Sequence, residues 1–204
     1  MRDLVAGIKP LDIDIATAGD PVTLARAFAE ATGGSFFHLS EEFKTCRVLA
    51  PGGGATYDFA ALRGAGIEDD LNERDFTVNA MAVAIPGDGE VIDPLGGLAH
   101  LRERKLAAVT ESVFDDDSLR LLRAVRLEKS LGLSSSGGLA SLIRSRGGLA
   151  GNPAAERIFA ETALLLSPPG AAAAVRRLDE LGLLKPILPE LLALKGVEQN
   201  EYHH

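Results

Sequence analysis

Three aspartates near the start of the chain have the chemistry and spacing of a divalent-cation site. Asp12 and Asp14 stand two apart in Asp12-Ile13-Asp14-Ile15, a stretch that predicts a strand. Because side chains alternate between the faces of a strand, both carboxylates leave one face, and their repulsion favours a cation such as Mg²⁺. Asp58, in another predicted strand, could converge on the same metals. Three carboxylates around two metals suit in-line phosphoryl transfer. The alternative interpretation of Asp12 and Asp14 is that they lie on a solvent-facing strand edge.

A run of arginines at three-residue intervals is the second chemical feature. Arg120, Arg123 and Arg126 alternate with apolar residues in a predicted helix, and Asp117 precedes them by the same interval. Residues three apart lie on one helix face, and forked guanidinium donors suit phosphates and base edges. The stripe therefore indicates a nucleotide contact; the alternative is a solvated amphipathic helix with internal ion pairs.

Local patterns predict that an α/β region from about residue 11 to 96 positions the aspartates. A helix begins at the Asp20-Pro21 cap and ends at Gly33-Gly34. A second helix is predicted over 71–84. The predicted strands are 11–17, 43–49, 55–62 and 91–92, with a hairpin connection through Pro51-Gly52-Gly53-Gly54 between the second and third.

Helical periodicity dominates after about residue 112 and carries the arginine stripe. Helices are predicted over 116–131, 153–166 and 169–181, with loops at 134–138 and 147–152. An α/β region followed by an all-α region gives an α+β fold class.

Composition excludes several classes of protein and site. The net charge of −8 argues against indiscriminate nucleic-acid binding, so any RNA contact needs a local basic patch. Cys46 is the only cysteine, which rules out an intrachain disulfide and a zinc site of clustered thiolates. No apolar run approaches the roughly 20 residues of a membrane span, and no leader pattern is present, so we expect a cytoplasmic protein. No protein partner can be inferred.

Four motifs, taken together and in order, resemble the bacterial-type (class II) tRNA CCA-adding enzyme and poly(A) polymerase family. The resemblance covers nearly the whole chain, and the run from Arg74 to Met81 is far more specific than Asp-x-Asp alone. The motifs are Arg2-Asp3, Asp12-x-Asp14, Arg74-Asp75-Phe76-Thr77-Val78-Asn79-Ala80-Met81 and Asp117-Ser118-Leu119-Arg120-Leu121-Leu122-Arg123-Ala124.

The resemblance implies a fold and a domain division. The head, residues 1–96, has the nucleotidyltransferase fold of the DNA polymerase β type with a mixed sheet. A helical neck over 97–167 recognises the base, and 168–204 starts a helical body that is truncated here. His203 and His204 receive no metal.

The resemblance also implies roles for individual residues. Asp12 and Asp14 are the metal-binding pair for Mg²⁺, and Asp58 is a third catalytic carboxylate. Asp117 and Arg120 are the protein template for the incoming base. Further nucleotide-binding residues are Arg2, Asp3, Arg74, Asp75, Asn79, Arg123 and Arg126.

The implied function is transfer of CMP or AMP from CTP or ATP to the 3′ end of tRNA. The sequence departs from the family pattern in lacking paired glycines before Arg2 and in carrying Glu73 where an arginine is usual. The alternatives are a poly(A) polymerase and a non-catalytic nucleotide- or RNA-binding fragment. The short connection between Arg63 and Arg74 leads us to expect better addition of C than of A.

Overall fold

A computed structural model describes residues 1–5, 7–42 and 44–197 of the chain. The chain divides into two compact units. The first contains Met1–Arg74 and Asn79–Leu98, and the second contains Asp75–Val78 and the chain from Ala99 onward. The fold is α+β, in agreement with the prediction. No helix in the described ranges is both long and apolar enough to cross a membrane.

The first unit is built on a four-stranded mixed sheet in the order β1-β4-β3-β2. β1 and β4 are parallel, whereas the β4–β3 and β3–β2 pairs are antiparallel. The elements of this unit are α1 Arg2–Val5, β1 Asp12–Thr17, α2 Pro21–Thr32, β2 Ser35–Ser40, β3 Thr45–Leu49, β4 Thr56–Ala61, α3 Ile67–Asn72, and the small pair β5 Ala82–Val83 and β6 Val91–Ile92.

Helix α2 covers one face of this sheet, and its ends are set by local chemistry. The Asp20 carboxylate accepts a hydrogen bond from the backbone N–H of Thr23 at 3.0 Å, and Gly33 closes the helix with a left-handed φ of 68°. Core residues of α2, β3 and β4 pack together beneath the helix: Ala25, Ala29, Cys46, Val48 and Phe59. The opposite face carries charged side chains together with the exposed apolar side chains of Phe37 and Leu49.

The four predicted strands agree with the structure to within two residues, whereas β2 and β5 of this unit were not predicted as strands. The hairpin between β3 and β4 is confirmed, because Ala50 N–H donates to the Ala55 carbonyl at 3.0 Å. Gly52 and Gly53 there have φ of 74° and 76°, which favours glycine. Phe43, the first residue of the predicted 43–49 strand, lies outside the described residues.

The predicted helix over 71–84 is wrong. Helix α3 ends at Asn72, a 3₁₀ turn occupies Thr77–Asn79, and β5 follows. The reason is long-range pairing: Thr77 N–H donates to the Ala107 carbonyl at 3.0 Å, and Phe76 forms a β-bridge with Ala108. Because these backbone groups pair with a distant segment, they do not form the hydrogen bonds of a continuous helix.

The second unit is mostly helical around one apolar core. Its helices are α4 Gly97–Arg102, which starts at the end of the first unit, α5 Val113–Asp116, α6 Arg120–Leu131, α7 Gly137–Arg146, α8 Ala155–Leu166, α9 Ala171–Glu180 and α10 Leu184–Ile187. A two-stranded pair, β7 Lys105–Leu106 and β8 Ser134–Ser135, and 3₁₀ helices at Gly147–Gly151 and Pro189–Leu194 complete it.

Three predictions in this unit need correction. The predicted helix 116–131 is interrupted, because Asp117 is extended with φ −152° and its carboxylate accepts the N–H of Leu119 at 3.1 Å. The predicted loop 134–138 contains β8 and the start of α7. Helix α7 was not predicted because its first turn is rich in glycine. The predicted loop 147–152 is largely a 3₁₀ helix. His203 and His204 lie outside the described residues.

Candidate functional site

The three predicted catalytic carboxylates lie on the sheet face opposite α2. Asp12 and Asp14 are the exposed positions of β1, alternating with half-buried Ile13 and Ile15. In the parallel register of β1 and β4, Asp14 is the direct partner of Asp58, so these two side chains lie side by side on one face. Among the described residues, neither the Asp12 nor the Asp14 carboxylate makes a hydrogen bond or an ion pair, which leaves both carboxylates available to an external cation.

Asp58 has a partner within the sheet. Arg47, its antiparallel neighbour in β3, donates from Nε to Oδ1 and from Nη2 to Oδ2, each at 2.7 Å. This hydrogen bonding to Asp58 raises the pKa of Arg47. Sequence analysis missed Arg47, although the alternation of buried Cys46 and Val48 around it places it on the acidic face.

The donor set fits a cation that takes few protein ligands. Within the described ranges, no group of three or more His, Cys, Asp and Glu side chains is arranged to hold a metal ion. Two exposed carboxylates on adjacent same-face positions nevertheless match Mg²⁺, which combines one or two carboxylates with water and substrate phosphate oxygens. Asp12 and Asp14 are therefore the residues that could hold Mg²⁺.

A pocket of about 260 Å³ opens beside these carboxylates in the first unit. Asp14 and Asp58 line it together with Arg63, Asp70 and Arg74. It thus combines anionic groups suited to a cation with two guanidinium groups suited to an anion.

Asp70 holds the side chain of Arg74, the arginine in this pocket that was predicted to bind the nucleotide. Asp70 is 2% exposed, and its Oδ2 accepts from Arg74 Nε at 3.1 Å and Nη2 at 2.5 Å. Its Oδ1 accepts from the backbone N–H of Arg63 at 3.3 Å. Glu73 forms an ion pair with Arg63 at 3.6 Å. The i,i+4 spacing of Asp70 and Arg74 was the sequence signal for this pair, and it was overlooked.

The remaining predicted residues of the first unit also meet. Arg2 donates from Nη1 to the Asn79 side-chain oxygen at 2.5 Å and from Nε to Asp3 at 2.8 Å. Asn79 lies 77 residues from Arg2 in the chain, yet the three residues form one polar cluster. Their proposed contact with a nucleotide remains a prediction.

In the second unit, Asp75 and Arg123 form an ion pair between Arg123 Nε and Asp75 Oδ2. The Asp75 side chain is only 9% exposed, and its Oδ1 accepts the N–H of Phe76 at 2.7 Å. Asp75 therefore positions one arginine of the stripe. Arg126 donates to Glu161 at 2.6 Å, so it is joined to helix α8.

Asp117 and Arg120, the predicted template pair, are joined through the backbone, because the N–H of Arg120 donates to the Asp117 carbonyl at 3.1 Å. Asp117 accepts from Arg157 Nη2 at 2.7 Å and Nη1 at 3.3 Å. Burial raises the pKa of Asp117, but hydrogen bonds from Arg157 and the Leu119 N–H outweigh it, and the pKa is lowered. Arg120 donates to the Val113 carbonyl at 3.3 Å and lies 3.9 Å from Asp116. Sequence analysis had not assigned Arg157 to the candidate site.

Two family profiles match the chain. The "Poly A polymerase head domain" profile matches residues 1–107, and the profile described as "Probable RNA and SrmB- binding site of polymerase A" matches residues 143–195. The first match covers more than half of the chain.

Curated relatives and solved structures agree with these profiles. An A-adding tRNA nucleotidyltransferase of Deinococcus radiodurans is 38% identical over 100% of this chain and 47% of its own length. A CC-adding tRNA nucleotidyltransferase of Geobacter sulfurreducens is 38% identical over 90% of this chain and 42% of its own length. A structure of the Thermotoga maritima CCA-adding enzyme complexed with tRNA superposes with TM-score 0.83 and 30% identity, covering 93% of this chain and 46% of that one. The chain thus spans about half the length of these relatives.

Proposed function

The chain belongs to the poly(A) polymerase head-domain family, and from that premise we propose that it is the catalytic part of a tRNA nucleotidyltransferase. The proposed reaction transfers CMP, AMP or both from CTP or ATP to the 3′ end of tRNA. The observation that carries the proposal is the exposed carboxylate face of the sheet, where Asp12 and Asp14 stand beside Asp58 next to a pocket lined by Arg74. We assign the enzyme to the cytoplasm, where it would meet tRNA.

In the proposed mechanism the first unit binds the reacting groups. Asp12 and Asp14 hold Mg²⁺, which supplies charge stabilisation for the transferred phosphoryl group and the leaving pyrophosphate when it is bound. Arg74, held by buried Asp70, donates to the nucleotide, and Arg2, held by Asp3 and Asn79, donates to the triphosphate. Fixing both guanidinium groups in advance reduces the entropy lost when the nucleotide binds.

The proposal assigns base selection to Asp117 and Arg120. Asp117 would accept from the exocyclic amine of the base, and Arg120 would donate to the adjacent ring acceptor. Cytosine and adenine both present that pair of groups on their Watson–Crick edges, whereas guanine and uracil have a donor at the corresponding ring nitrogen. The pairing of Asp117 with Arg157 and its lowered pKa support this role, because they keep the carboxylate ionised and oriented as an acceptor.

We further propose that C is added better than A. Between β4 and Arg74 the connection is short and is occupied by α3, which Asp70 ties to both Arg63 and Arg74. A short, tied connection limits how far the base-selecting residues could be shifted between C and A. The relatives do not separate the two specificities, since an A-adding and a CC-adding enzyme are both 38% identical.

The deciding experiment is primer extension with the purified chain, Mg²⁺ and labelled CTP or ATP. One tRNA substrate ends before CCA and a second ends in CC. We expect CMP addition to the first substrate and weak AMP addition to the second, with both abolished by EDTA. Efficient AMP addition to the CC-ending tRNA would contradict the C preference alone. Long A tails would identify a poly(A) polymerase, and no incorporation would identify a non-catalytic binding fragment.

A further inference from the structure

Arg47 completes a row of charged side chains across the acidic face of the sheet. The strand registers make Arg47 the partner of Asp58 and Asp58 the partner of Asp14. Arg47 engages both oxygens of Asp58 in a fork at 2.7 Å, and the two side chains are only 40% and 30% exposed. A forked guanidinium–carboxylate pair has the strongest geometry that such a contact can adopt.

This pairing changes the charge available to a metal. Asp12, Asp14 and Asp58 carry three negative charges, and Arg47 cancels one of them. The four side chains together have a net charge of −2, which a single divalent cation balances. A cation bound directly by Asp58 would lie close to the guanidinium group and be repelled by it. Arg47 and a metal ion therefore compete for Asp58.

We infer that Arg47 is a positioning residue that withholds Asp58 from the metal, so that Asp12 and Asp14 alone ligate the divalent cation. The inference rests on the proposed function, because it refines the metal site of that reaction. In this arrangement Asp58 pairs with Arg47 instead of ligating the metal. The site should therefore bind the cation more weakly than three free carboxylates would, because metal affinity rises with the number of charged ligands.

The test measures binding of Mn²⁺, as a spectroscopic probe for Mg²⁺, to the full chain without nucleotide by paramagnetic resonance of the free ion. Arg47→Gln is expected to tighten Mn²⁺ binding on the order of tenfold, because it frees Asp58. Adding Asp58→Asn to that variant should reverse the gain, whereas Asp58→Asn alone should change the dissociation constant little. Arg47→Lys, which keeps the charge but loses the fork, should lie between wild type and Arg47→Gln.

Arg26→Gln is the matched control, since Arg26 stacks at 4.3 Å on Phe36, a residue packed in the α2 core on the opposite side of the sheet. It removes the same charge and should leave the dissociation constant unchanged. An unchanged or weaker Mn²⁺ affinity in Arg47→Gln would overturn the role of Arg47. Failure of Asp14→Asn to weaken binding would instead reject the proposed metal ligand, and primer extension tests the proposed reaction separately. Thermal melts of each variant separate loss of folding from loss of binding.

Discussion

Replacing Asp70 with Asn tests whether this buried carboxylate prepares Arg74 for the nucleotide. The substitution keeps the size and one acceptor oxygen but removes the negative charge. Asp70 is 2% exposed, and its carboxylate accepts three hydrogen bonds, two of them from the Arg74 guanidinium. Arg74 itself is 33% exposed by side chain, so it can turn towards water once its counter-ion is gone. We expect weaker nucleotide binding with the fold retained.

The magnitude follows from the type of hydrogen bond that is lost. A bond to a charged group contributes about 1.5–3 kcal/mol and a neutral one about 1 kcal/mol, so the change weakens the orientation of Arg74 by about 0.5–2 kcal/mol, with a midpoint of about 1.3 kcal/mol. That difference corresponds to about a tenfold rise in KM for CTP and ATP. A similar loss in folding free energy lowers the melting temperature by about 5–10 °C for a unit of this size.

Steady-state kinetics and thermal melts of wild type, Asp70→Asn and Glu73→Gln provide the measurement. Glu73→Gln is the matched control, because it removes a carboxylate from the same connection. Glu73 and Arg63 are both more than half exposed, and an ion pair in that setting contributes less than about 1 kcal/mol. A fall in melting temperature without a rise in KM would show that Asp70 only supports folding. Equal rises in KM for both variants would refute the specific link to Arg74.

Three further predictions follow from other parts of the structure. Asp14→Ala should reduce turnover by far more than tenfold, where tenfold corresponds to about 1.36 kcal/mol of transition-state stabilisation. Its melting temperature should stay unchanged or rise, because a like charge beside Asp58 is removed. Residual turnover above about a tenth of wild type would reject the metal assignment. Arg120→Ala should relax the choice of CTP and ATP over UTP in single-nucleotide incorporation, whereas equal losses for all three would mark Arg120 as a packing or phosphate residue. Burial raises the pKa of Glu128, but hydrogen bonds from Arg177 and Ser135 outweigh burial and lower the pKa below its ordinary value of 4.5. The ionised Glu128 therefore stabilises the folded state above about pH 4.5, and this contribution is lost as the pH falls through the lowered pKa. Denaturant titrations across that range should therefore show a weaker dependence on pH in Glu128→Gln, and identical slopes would contradict the assignment.

Local chemistry determined the features that the sequence predicted well. Helix α2 follows from the Asp20 cap and Gly33, and the shared face of Asp12 and Asp14 follows from strand alternation. The hairpin at Gly52 and Gly53 follows from the freedom of glycine to adopt positive φ. Each of these depends on residues close together in the chain, and the family motifs are likewise contiguous runs of residues.

Tertiary structure decided which charged side chains from distant parts of the chain became partners. Strand order placed Asp14 beside Asp58 and Asp58 beside Arg47, and helix packing brought Arg157 to the Asp117 carboxylate, 40 residues away in the chain. Long-range backbone pairing also replaced the predicted helix over 71–84, because the Thr77 N–H found its acceptor at Ala107. The sequence carries the types and local periods of these residues. Their partners depend on registers between segments many residues apart, which local propensity does not encode.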